Sequence, residues 1–178
     1  MSREQRLRHI RIWLAAFTAG LIVAGLTAFP LAYETRLITD WLNGPGAGVA
    51  RQFPAMAAWL RHAHQGLAVS YAKYPFLAYG TDWLGFGHLM IAIAFIGPIR
   101  DPVRNKWVVQ FGMIACVLVI PLALICGPLR DIPAFWTPID CSFGVIGIIP
   151  LLAAYRHIRA VERDQAAASQ PAVAATAS

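Results

Sequence analysis

The sequence predicts an all-α membrane protein: four transmembrane helices in a bundle plus one amphipathic helix on the outer surface. Three observations carry this. The 178 residues are 58% hydrophobic and only 13% charged, whereas an average soluble domain is about 45–50% apolar and about 25% charged. The apolar residues are gathered into four long runs. None of these runs alternates apolar and polar positions as a spanning strand does.

A bilayer core about 30 Å thick needs about 20 apolar residues in a helix, with about 17 as the lower end. The runs Ile12–Tyr33, Trp83–Ile99, Trp107–Cys126 and Ile139–Tyr155 meet that length. The basic stretch MSREQRLRHIRIW precedes the first run as it would in a signal peptide. The run itself is too long for a signal's apolar segment and its cleavage site is poor, so a retained span is expected. Residues 1–163 read as one transmembrane domain.

Threading follows from Lys and Arg. With four spans, the N-terminus, the loop after the second span and the C-terminal end share one side. They carry ten basic residues: Arg3, Arg6, Arg8 and Arg11, then Arg100, Arg104 and Lys106, then Arg156, Arg159 and Arg163. The opposite side carries five, mostly in a long loop that counts less. The positive-inside rule then places both termini in the cytoplasm, in a plasma (inner) membrane. Trp13, Trp107 and Tyr155 at one boundary, and Tyr33, Tyr79, Trp83 and Trp136 at the other, suit interfacial depths. The net charge of +6 therefore reports topology, and no basic stripe interleaved with aromatics points to nucleic acid.

Within the first span Ala16, Gly20, Ala24 and Ala28 recur every four residues, a face where another helix can come close. Pro30, Pro121 and Pro150 lie in or near span ends and favour kinks. GPIRD at 97–101 and GPLRD at 127–131 echo each other at the ends of the second and third spans. A Gly-Pro stop with a basic last turn explains both copies, and an inverted repeat is the alternative.

Residues 34–81 form a long outer loop. After the break NGPGAG, the residues Phe53, Ala57, Leu60, His64, Leu67, Tyr71 and Tyr74 fall on one helical face, with Pro54 suited to the first turn. This is the helix expected on the outer surface. Residues 164–178 lack large apolar side chains and read as a disordered cytoplasmic tail.

Candidate chemistry gathers at the outer mouth. His88 lies roughly 8–9 Å below the start of the second span and about 120° around the helix from Asp82. A polar group at that depth faces other helices and needs a partner. Asp82 and Asp140 open spans where a carboxylate caps free N–H groups and suits the helix dipole. Glu34 leaves the first span on the same side. His88, Asp82, Asp140 and Glu34 thus form the candidate outward polar site. Cys126 and Cys141 lie at similar depth on that side, where either a disulfide or two free thiols fit.

No metal motif occurs. His62 and His64 are about 200° apart on a helix, and there is no CxxC or HExxH. No cofactor is expected: a haem or metal at His88 needs a second ligand, which only His64 could fold over to supply. Three functional classes stay open. The first is an accessory, assembly or interaction protein without catalysis of its own, with the lipid bilayer and a homo-oligomer or larger membrane complex as partners. The second is an oligomeric transporter or channel subunit. The third is a membrane enzyme or redox carrier working at the outer mouth around His88.

Overall fold

The computed structural model describes the backbone of residues 2–176 and the side chains of residues 2–168. Among the described residues the chain is helical and has no strand. The helices are α1 (Arg3–Ala28), α2 (Leu31–Asn43), α3 (Ala47–Gln52), α4 (Pro54–Lys73), α5 (Tyr79–Ala94), α6 (Ile96–Arg100), α7 (Lys106–Leu129) and α8 (Thr137–Thr176), with a 3₁₀ turn at Pro75–Ala78. Four segments are long and apolar enough to cross a membrane: Arg3–Ala28, Pro75–Arg100, Lys106–Leu129 and Thr137–Ala168. These coincide with the four apolar runs.

The boundaries move for local reasons. The first run breaks at Phe29 and Pro30, so α1 stops at Ala28 and Tyr33 belongs to α2. Proline lacks the N–H that would continue the ladder. Pro121 and Pro150, by contrast, lie inside α7 and α8, which continue past them. The stretch 34–81, expected to be a loop carrying one helix, is helical nearly throughout. A structureless tail was expected from residue 164; the backbone of α8 runs on to Thr176. Side chains from residue 169 onward, and residues 177 and 178 altogether, lie outside the described residues.

The chain divides into two compact units, Met1–Gly20 with Ala92–Ser178, and Leu21–Ile91. In the first unit α7 packs along α8. Its core holds Ile10, Leu14, Phe95, Val109, Leu151 and Ile158, all fully buried. Phe17 stacks at a tilt on Phe95, with ring centroids 4.9 Å apart. Two glycines admit these neighbours. A Cβ on Gly112 would lie 2.8 Å from the Phe95 ring, and one on Gly144 would collide with the Cys116 carbonyl oxygen. Asn105 closes the end of α6, its side-chain amide donating to the carbonyls of Gly97 (3.2 Å) and Asp101 (3.0 Å). Both carbonyls also accept a main-chain N–H, Gly97 O from Asp101 (2.9 Å) and Asp101 O from Asn105 (3.2 Å), so the amide adds a second bond to each.

The two Gly-Pro echoes adopt different backbones. Asp101 is extended, with φ −132° and ψ 90°. Asp131 is left-handed, with φ 54°. Around it, Ile132 N–H donates to Gly127 O (3.0 Å) and Asp131 N–H to Pro128 O (3.3 Å). That pairing is the Schellman end of a helix, in which a residue in the left-handed region turns the chain out.

In the second unit α2 and α4 pack side by side. The stripe read from the sequence faces α2: Ala57 is buried, and His64 Nδ1 shares a 3.3 Å hydrogen bond with Thr35 Oγ1. Arg61, off the stripe, donates from Nε to Asn43 Oδ1 (2.9 Å). At one end of the stripe Tyr71 meets the hydroxyl of Thr81 (3.4 Å). The crossing of α1 and α5 shifts the small-residue contact: of the stripe, Ala28 is buried and Ala24 half-buried, while Ala16 and Gly20 are exposed. Gly20 has open space around it, and the close approach is at Gly25 and Gly85 instead. A Cβ on Gly85 would stand 2.7 Å from the Gly25 carbonyl oxygen.

Candidate functional site

The residues singled out for chemistry do not converge into one bonded cluster. Asp82 lies in the first turn of α5, Glu34 in that of α2 and Asp140 in that of α8. Those are positions the positive helix end favours. None of the three carboxylates makes a side-chain hydrogen bond or ion pair among the described residues, so the capping bonds expected of Asp82 and Asp140 are not made. His88 is half-buried beside the Gly25–Gly85 crossing, its Cβ among the atoms nearest to Gly25. Its Nδ1 donates to Leu84 O of its own helix (2.8 Å). This local bond occupies Nδ1, and Nε2 has no partner among the described residues. The interhelical partner expected for His88 is therefore replaced by a backbone carbonyl one turn back. Among the described residues no three His, Cys, Asp or Glu side chains group as metal ligands.

Cys126 and Cys141 are not bridged. All three cysteines are free, with Cys116 buried, Cys126 exposed and Cys141 half-buried. Cys126 sits on an exposed face of α7, and bridging requires the two Cβ atoms to face each other.

The densest polar construction lies in the first unit, where three basic segments meet. Arg6 pairs with Asp164 at 3.7 Å, and His9 and His157 have ring centroids 5.6 Å apart. Lys106, which opens α7, donates to Glu162 of α8 at 2.6 Å, and Arg159 approaches the other oxygen of that carboxylate at 3.6 Å. Gln110 reaches Tyr155 Oη at 3.4 Å one turn further on. Arg11 donates from Nε to the Ile99 carbonyl (3.3 Å), tying α1 to the end of α6.

No family model, curated protein or solved structure matches this chain.

Beside the Arg11–Ile99 bond is an open cleft of about 270 Å³. Arg3, Arg11 and Arg100 line it together with a single carboxylate, Asp101. Leu7 and the fully buried Val161 lie among these charges as apolar lining. Asp101 is partly committed to its own loop, Oδ1 accepting the Arg104 N–H at 3.2 Å. The sequence showed these arginines only as markers of threading. Arg3, Leu7 and Arg11, spaced by four, already lie along one helix face. The arrival of Arg100 on that face depends on the fold.

Proposed function

We propose that the protein is a multi-pass integral membrane protein of the accessory or assembly type, resident in the plasma (inner) membrane with both termini in the cytoplasm. Its apolar helix faces meet lipid and the helices of partner subunits. The observation that carries this reading is the exposure of large apolar side chains along the four long helices. In none of the four is more than 22% of the most apolar stretch buried. On α7 alone Phe111, Ile114, Val117, Leu118, Leu122 and Ile125 are all exposed. A soluble monomer rarely exposes a contiguous apolar patch beyond a few hundred Å². Such faces suit hydrocarbon or another helix.

The threading is supported by the meeting of the basic segments. The contacts Arg6–Asp164, Arg11–Ile99 and Lys106–Glu162 draw the start of α1, the α6–α7 connection and the far part of α8 together. Ten of the fifteen Lys and Arg residues belong to these segments, and an excess of Lys and Arg marks the cytoplasmic side.

Two measurements test the reading. A reporter fused after Ser178 is expected to report cytoplasm, and one inserted near Gly46 the exterior; an external C-terminus overturns the threading. A photo-crosslinking side chain at Leu118 or Leu122, activated in intact membranes, is expected to yield a discrete adduct with a second polypeptide or a second copy. Lipid adducts alone at every exposed position of α7 would overturn the assembly role.

A further inference from the structure

The arginine cleft has more positive charge than its surroundings neutralise. Arg3 and Arg100 make no hydrogen bond or ion pair through their guanidinium groups among the described residues. Arg11 spends only Nε on the Ile99 carbonyl, which fixes its position and leaves both terminal amino groups uncommitted. Of the neighbouring cations, Arg6, Lys106 and Arg159 each have a carboxylate partner, whereas the guanidinium groups of Arg8, Arg104, Arg156 and Arg163 have none among the described residues and lie outside the cleft lining. Three guanidinium groups thus face one carboxylate, itself held in part by the Arg104 N–H.

Guanidinium groups bind phosphate oxygens through paired N–H donors, and several together outcompete water for such an anion. The apolar lining supplied by half-buried Leu7 and Val103 suits the glycerol and first methylenes attached to a phosphate better than it suits a free ion. The volume, about 270 Å³, lies just below the usual range of ligand pockets, about 300–1,000 Å³, and suits a headgroup rather than a whole lipid. Arg3 and Arg100 are also end residues of two of the four spanning-length segments, Arg3–Ala28 and Pro75–Arg100. Basic pockets between spans on the cytoplasmic side are where anionic headgroups bind.

We propose that this cleft holds the phosphate of an anionic phospholipid headgroup, seated by Arg3, Arg11 and Arg100. The proposal rests on the membrane reading above, and on the cytoplasmic placement of this end for the supply of anionic lipid.

The test uses the full chain in mild detergent with equal amounts of phosphatidylglycerol and phosphatidylcholine, read by native mass spectrometry. The wild type is expected to retain phosphatidylglycerol preferentially. The variant R3Q/R100Q removes two guanidinium groups that have no partner among the described residues, so the melting temperature should hold. Its preference should fall about 25-fold, at about fivefold for each guanidinium near a lipid surface. R51Q/R130Q, which alters arginines outside the cleft, should leave the preference unchanged. Arg11→Lys, which keeps the charge but loses the fork, should reduce it less than R3Q/R100Q does. Equal retention of the two lipids by the wild type, or undiminished preference in R3Q/R100Q, overturns the proposal. Inorganic phosphate in a lipid-free arm separates the sources: a phosphate-dependent rise in melting temperature that R3Q/R100Q abolishes, without any lipid preference, assigns the cleft to the free ion and overturns the lipid. The reporter fusions read threading without reference to lipid binding, so the two ideas fail separately.

Discussion

Gly144 of α8 lies directly against the main-chain carbonyl oxygen of Cys116 in α7, leaving no room for a side-chain carbon between them. Gly147, one turn on, would bring a Cβ to 3.1 Å from Cys116 Sγ. Small residues let helix backbones approach closely, and in a membrane such packing replaces the hydrophobic drive that lipid removes.

Gly144→Ala is therefore expected to lower thermal stability in detergent by about 1–3 kcal/mol, because the obstructing atom is backbone and cannot rotate away. Gly85→Ala should behave likewise against the Gly25 carbonyl. Gly20→Ala, with open space around it, should be neutral or gain up to about 1 kcal/mol from helix propensity. A Gly144→Ala protein that melts with the wild type would show that α7 and α8 are not in this register.

Asp131 occupies the left-handed region at the end of α7. Asp tolerates that region better than most residues, yet glycine has no steric cost there. Asp131→Gly should stabilise by about 0.5–1 kcal/mol, and Asp131→Val should destabilise by at least about 1 kcal/mol. A stabilising valine would be incompatible with the Schellman end described above.

The cysteines are expected to label as three free thiols. Alkylation without reductant should modify exposed Cys126 first, half-buried Cys141 more slowly, and buried Cys116 only on unfolding. The same total after reduction is the predicted mass. Two further labels appearing only after reductant would mean that a disulfide forms after all.

His88→Leu should change stability by no more than about 0.6 kcal/mol, the average for polar pairs in membranes. Its only hydrogen bond among the described residues is to a carbonyl of its own helix. A loss well above 2 kcal/mol would reveal a second partner on Nε2 and revive a functional role for the ring.

The spans were legible because apolar run length and the positions of Lys and Arg are local signals that the bilayer makes strict. Helix α2 was not, and the reason is chemical. Its inner face carries Thr35 and Thr39, which look polar in the sequence. Each hydroxyl donates to a carbonyl of α2 itself, Thr35 to Ala32 (3.0 Å) and Thr39 to Thr35 (2.8 Å). With the donor satisfied locally, Thr39 is buried beside Leu42 as an apolar residue would be. The small-residue stripe is packed only in its second half, where Ala24 is half-buried and Ala28 buried, while Ala16 and Gly20 are exposed. Periodicity identified a face that could accept a helix, but the choice of Gly25 over Gly20 belongs to the partner, Gly85 on α5. At the candidate site, Arg3 and Arg11 were legible only as threading markers, although their spacing places them along one helix face, and the break at Phe95 that delivers Arg100 and the Ile99 carbonyl was hidden inside an apolar run.

The pairing of Arg6 with Asp164, and of His9 with His157, sets an order of events during synthesis. The start of α1 leaves the ribosome well before the rest of its unit: its fully buried residues Ile10 and Leu14 belong with members that come from residue 92 onward. Contacts this distant along the chain form slowly, and a nascent chain holding only residues 1–91 has an apolar, arginine-flanked helix still waiting for its neighbours. Such a half-made protein is the species most exposed to misassembly and to quality-control proteases. Truncations that stop before α8 are therefore expected to disappear from the cell, where loss of a single surface charge would go unnoticed.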